Sequence, residues 1–154
     1  MADIVDAVTR SRMMAGIGGK NTRPEILVRR YLHGLGYRFR LHRPDLPGRP
    51  DLVLTKYKLA IFVNGCFWHR HQACFYATSP ATHKDFWLKK LNRNAERDTL
   101  QISQLNESGW RVMVIWECGL KHCPQSLNLL PALIDSAQKN SVWPDTPPRP
   151  GHAG

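Results

Sequence analysis

Apolar side chains recur along this chain with two periods, and the switches between them predict its elements. Ile26, Leu27, Tyr31, Leu32 and Leu35 fall on one face of a 3.6-residue repeat. Thr22 suits the N-cap of that helix, Pro24 its first turn and Glu25 a capping box, and Gly36 stops it. Tyr37, Phe39 and Leu41 then alternate with Arg38, Arg40 and His42, the mark of a half-buried strand. After a turn-rich stretch over 44–50, the apolar runs 51–54 and 59–63 predict a hairpin or two central strands. The best helical signal covers 85–108, where Leu88, Leu91, Ala95, Asp98, Ile102 and Leu105 form a stripe; one member of it is a carboxylate. Gly109 ends that helix, 111–116 reads as a buried strand, and 126–139 reads as a last helix with Leu127, Leu130, Leu133 and Ile134 inward.

This order predicts an α/β fold, a mixed central sheet flanked by helices. Residues 1–20 read as a basic arm rich in glycine, 21–143 as one domain, and 144–154 as a Pro-rich, disordered tail.

Composition narrows the class. The chain has 154 residues, 42% hydrophobic and 22% charged, which excludes a collagen-like or disordered chain. No apolar run approaches the roughly 18 residues of a membrane span. Lys and Arg outnumber Asp and Glu by 22 to 12, a formal charge of +10, and that surplus favours a polyanion, nucleic acid first, through counterion release. The first residues carry no secretory pattern, so a reducing cytoplasm is expected. There the four cysteines serve as metal ligands or inert thiols rather than as a disulfide frame.

Cys66, His71, Cys74 and Cys118 are the clearest constellation: soft thiolates and an imidazole, matching the tetrahedral preference of structural zinc. His69 competes with His71 in that set, and Cys123 with Cys118. Asp51, after a Gly-Arg-Pro turn and at the head of an apolar strand, is placed to hold Mg²⁺, although turn chemistry alone is the commoner reason for an Asp beside a Pro. Asp98 is expected to be solvent-excluded on its stripe, and a carboxylate there needs a cation, a metal or an imidazole beside it. For Glu25 the capping box is a sufficient account. Phe67, Trp68, Phe86 and Trp87 are flat side chains in a basic region, suited to insertion between base pairs, and Met13, Met14 and Ile17 on the arm offer a second wedge. His69 has the intrinsic pKa of a general base near neutral pH.

Taken in order, Thr9-Arg10-Ser11-Arg12-Met13-Met14, Pro47-Gly48-Arg49-Pro50-Asp51, Phe62-Val63-Asn64-Gly65-Cys66-Phe67-Trp68-His69-Arg70-His71, Phe86-Trp87, Glu96-Arg97-Asp98 and Gly109-Trp110-Arg111-Val112 through Trp116-Glu117-Cys118 resemble the very short patch repair endonucleases of the Vsr type. The resemblance runs from about residue 8 to 118. It implies a restriction-endonuclease-like fold and a monomeric enzyme of the bacterial cytoplasm, acting at the nucleoid. Its substrate would be double-stranded DNA, nicked 5′ of the thymine in a T:G mismatch left by 5-methylcytosine deamination, with other mismatch-repair proteins as further partners. By matching position, Asp51 and the main-chain carbonyl of Val63 would bind Mg²⁺, His69 would activate water, Asp98 would orient His69, and Glu25 would hold water of the ion's shell. Cys66, His71, Cys74 and Cys118 would bind structural zinc. Phe67, Trp68 and Trp87 would wedge into the duplex from one groove, and Met14 and Ile17 from the other. Relatives in the wider Pro-Asp nuclease superfamily carry Glu-x-Lys on the second strand; here that strand reads Phe62-Val63-Asn64, so His69 must take the lysine's place. Two other classes compete: a zinc-stapled DNA-binding module without catalysis, which has no use for Asp51, Asp98 and His69, and a basic structural protein with a fortuitous Cys/His cluster.

Overall fold

The computed structural model describes residues 22–69, 71, 74 and 82–145, so the arm that carries Met14 and Ile17 lies outside the described residues. Helix α1, Arg23–Gly34, opens as its sequence dictates: the Thr22 hydroxyl accepts the Glu25 N–H at 3.4 Å, and Val28 and Leu32 are fully buried. Strand β1 is only Arg40–Leu41, shorter than the alternation from Tyr37 predicts. Tyr37 and Phe39 still turn inward against the core. Neither lies in the ladder, since β1 begins only at Arg40. The period of two thus holds for Tyr37 and Phe39, outside the ladder, and breaks at Leu41, which is inside it and 39% exposed.

Strand β3, Leu59–Asn64, returns antiparallel to β2 with Leu52 opposite Ile61. Helix α2, Lys84–Glu107, then carries the chain to β4, Arg111–Trp116, which lies parallel to β3. Helix α3 is Glu117–His122. The single helix expected over 126–139 is instead a 3₁₀ segment, Pro124–Leu129, followed by a short α4, Leu130–Asp135. Pro131 in the first turn of α4 explains the break, having no N–H to continue a helix from the residues before it. Strand β5, Asn140–Trp143, pairs parallel with β4 and completes a five-stranded mixed sheet in the order β1-β2-β3-β4-β5.

Both faces of the sheet are covered. One layer sets Val28 and Leu32 of α1 with Leu127, Leu130 and Ile134 against Leu52, Leu54, Ile61, Met113 and Ile115. The other sets Leu105 and Ile102 of α2 against Val53, Ala60, Val112 and Val114. The end of β5 is tied down by packing: Pro144 is buried, and a Cβ on Gly119 would come within 2.7 Å of Trp143 and Pro144. Among the described residues, no helix is long and apolar enough to cross a membrane.

Candidate active site and metal cluster

An open cleft of about 600 Å³ lies where α1, the turn before β2, the end of β3 and the middle of α2 meet. Asp51 enters it from the head of β2. Its Oδ2 accepts the Val63 N–H at 2.7 Å, which joins the two strands at the point where their ladder ends. An extended residue directs its N–H and C=O to the same side, so the Val63 carbonyl also faces this edge. Continuing the register sets Pro50 opposite it, and proline has no N–H to give.

Glu25 is 1% exposed. Its backbone N–H uses the Thr22 cap, while its carboxylate turns to Arg29 and His42. Oε2 accepts Arg29 Nε at 3.1 Å, a second Arg29 bond through Nη2, and lies 2.7 Å from His42 Nε2. Ligand atoms of Glu25, His42 and Asp51 all lie within 4.8 Å of one another. Burial, with the Glu25 charge beside it, pushes the Asp51 carboxyl up to about 7, against the lowering effect of the Val63 N–H. Two carboxylates beside an open face for water offer the hard oxygen donors that could hold a divalent cation.

On the opposite wall, His69 Nδ1 hydrogen-bonds Asp98 Oδ2, which leaves Nε2 for a water. Asp98 thus has an imidazole beside it. The expected solvent exclusion is corrected, however: its side chain is 23% exposed, because α2 passes the end of β3 there and turns this residue into the cleft instead of the core.

His69 belongs to a segment held at both ends. The ligand atoms of Cys66, His71, Cys74 and Cys118 lie within 4.8 Å of one another, so among the described residues His71 and Cys118 complete the group and not His69 or Cys123. His71 Nδ1 is 3.5 Å from Cys118 Sγ, and its ring stacks on Trp116 at 4.0 Å and 5°. A hydrogen bond from Cys118 brings the Cys66 thiol down to about 4 and pushes that of Cys118 up, as expected of two thiols sharing one proton. Such a pocket gains by exchanging its protons for a soft cation. Cys123 stands apart, its thiol pKa raised by burial.

Phe67, Trp68, Trp87 and Phe86 form one run of ring contacts: Phe67 to Trp68 at 4.9 Å, Trp68 to Trp87 at 5.8 Å, and Trp87 to Phe86 at 5.5 Å. Phe86 is 62% exposed and the other three are half-buried. Sequence reasoning missed Arg29 and His42. Arg29, one helical turn beyond Glu25, was open to an i,i+4 search; His42 was hidden inside an alternation that placed it outward.

Comparison with known proteins gives this arrangement a class. A profile described as DNA mismatch endonuclease Vsr matches residues 2–75. The DNA mismatch endonuclease Vsr of Escherichia coli K12 is 46% identical over 121 residues, covering 79% of this chain and 77% of the relative. The type II nicking enzyme V.XorIIP of Xanthomonas oryzae is 46% identical over 120 residues, 78% of this chain and 88% of the relative. V.NmeAIP of Neisseria meningitidis is 41% identical over 140 residues, 89% and 99%. These relatives are DNA-cleaving enzymes by name. The chain belongs to the Vsr family of DNA mismatch endonucleases.

Proposed function

We propose that this protein is a Mg²⁺-dependent endonuclease that nicks one DNA strand 5′ of the thymine in a T:G mismatch arising from 5-methylcytosine deamination, and so begins very short patch repair. The observation that carries the reading is the convergence, in one cleft, of the Glu25–Asp51 acid pair with the His69–Asp98 pair. Neither a binding module nor a structural protein has a use for both. We further read the three-layer frame as restriction-endonuclease-like.

Asp51 and the carbonyl of Val63 would hold Mg²⁺, which when bound polarises the scissile phosphate and stabilises the leaving oxygen. His69 does the proton chemistry. With Nδ1 fixed by Asp98, Nε2 takes a proton from water; the water oxygen bonds to phosphorus while the bond to the leaving oxygen breaks. Glu25 orients water beside Asp51. Cys66, His71, Cys74 and Cys118 would hold structural zinc. Phe67, Trp68 and Trp87 would stack against the opened base step, with Met14 and Ile17, outside the described residues, entering from the other groove. The charge of +10 supports double-stranded DNA as the partner. The setting proposed is the bacterial cytoplasm, at the nucleoid, with the protein acting as a monomer and passing the nick to other mismatch-repair proteins.

The test is a duplex with one T:G pair, compared with a fully paired duplex and with other mismatches, in Mg²⁺ and in EDTA. A single nick 5′ of the thymine, dependent on Mg²⁺, is expected, and Asp51→Asn should bind the duplex without cutting it. Equal cutting in EDTA, or unimpaired cutting by Asp51→Asn, overturns the proposal.

A further inference from the structure

Glu25 and Asp51 reach the cleft from different parts of the fold, so something must fix the distance between them. Arg29 grips Glu25 strongly, but it lies on the same helix and moves with it. Its charge also bears on the Asp51 carboxyl. His42 adds a link from a different element. It follows β1, and the β1–β2 register, Leu41 opposite Leu52, continues to place His42 opposite Asp51. Its backbone N–H donates to the Asp51 carbonyl at 3.3 Å, and its Nε2 lies 2.7 Å from Glu25 Oε2. The imidazole is 13% exposed and the carboxylate it meets 1%.

The backbone adds an independent observation. His42 has φ +49°, in the left-handed region that costs a residue with a Cβ and suits glycine. Strain of this kind persists where the surroundings gain from the side chain it presents. Here the side chain reaches from the edge of the sheet to Glu25 of α1.

We propose that His42 is a positioning residue: its amide holds the main chain of Asp51 and its imidazole holds the carboxylate of Glu25, so that one strained residue sets the spacing of the acid pair. The inference rests on the reading of that pair as the cation seat. No part of it touches substrate. Residues that orient metal ligands in this way typically change metal affinity or activity by about 10- to 100-fold when removed.

Three variants test it. His42→Gly relieves the backbone and deletes the imidazole; His42→Asn tolerates the same φ but is too short to reach Glu25; His42→Gln keeps an N–H donor of comparable reach. Melting temperature without metal, Mn²⁺ binding by electron paramagnetic resonance, and kcat and KM on the mismatched duplex are measured for each. The glycine and asparagine variants are expected to lose about 10- to 100-fold in both kcat and Mn²⁺ affinity, with KM for DNA nearly unchanged, and His42→Gln to recover most of both. Should the glycine variant fold poorly, the asparagine variant decides. Wild-type kcat and Mn²⁺ affinity in the folded fraction, or His42→Gln as impaired as His42→Gly, overturns the proposal. Asp51→Asn separates the two failures. If it is inactive while the His42 variants are normal, the positioning role alone falls; if it cuts normally, the cation seat falls with it.

Discussion

Asp51 meets opposing demands, because the burial that shapes the cleft disfavours the charge a cation requires. Its folded pKa of about 7 stands above the ordinary value of 3.8. Without metal, folding therefore favours the protonated form. The contribution of this group to stability is complete below about pH 3.8 and is lost as pH rises through 7. Asp51→Asn should accordingly flatten that loss and make the metal-free protein more stable than its parent at pH 8; urea unfolding in EDTA at several pH values checks this. Metal binding reverses the preference, since the ion takes the deprotonated acid, so Mg²⁺ affinity should rise between pH 6 and pH 8 with proton release. For the second pair, Asp98→Asn should leave duplex binding intact and lower kcat by roughly 10²-fold or more, because it weakens the hold on Nδ1 of His69 and favours the wrong tautomer. Single-turnover nicking measures it. His69 and Asp98 drew attention in the sequence by their own chemistry, whereas Asp51, in surroundings that ordinary turn chemistry accounts for, was singled out by the family resemblance. His42 was not legible, since its place depends on a left-handed turn and on a strand register that no residue pattern announces.

At the scale of elements, legibility followed the regularity of burial. The stripe of α2 and the apolar runs of β2, β3 and β4 predicted those elements to within a residue or two. Strand β5 escaped because its pattern is inverted: Ser141 is buried while Val142 is 43% exposed. Its last residues are nonetheless packed tightly against α3. Gly119→Ala places a methyl within 2.7 Å of Trp143 and Pro144, and should cost about 1–3 kcal/mol by urea unfolding, with nicking by the folded fraction unchanged. Arg111 shows another link that no periodicity reports: its guanidinium donates to the carbonyls of Leu133, Ile134 and Gln138, and so joins the start of β4 to the end of α4.

Over the whole molecule, the cluster at Cys66, His71, Cys74 and Cys118 brings a stretch with little apolar pattern to order it against α3, just beyond β4. The proposed general base lies between two of those ligands. Cys74→Ser should therefore lose zinc, as measured by elemental analysis against one ion per wild-type chain, and should lose nicking with it although Asp51 and Glu25 are untouched. Retained zinc with full activity would remove Cys74 from the set. The ordered motifs exposed this arrangement in the sequence; the choice between His69 and His71 needed three dimensions, because both stand close to Cys66 in the chain.

The sheet itself divides the chemistry. Glu25 rides on the layer that covers one face and Asp98 on the layer that covers the other, with the end of β3 between them. In the proposed mechanism, the carboxylate that orders water beside the ion and the carboxylate that orients the base would thus come from separate storeys of the molecule, each with its own supporting core. Drift in one storey can retune its half of the reaction while the other is inherited intact, a modularity written into the layering.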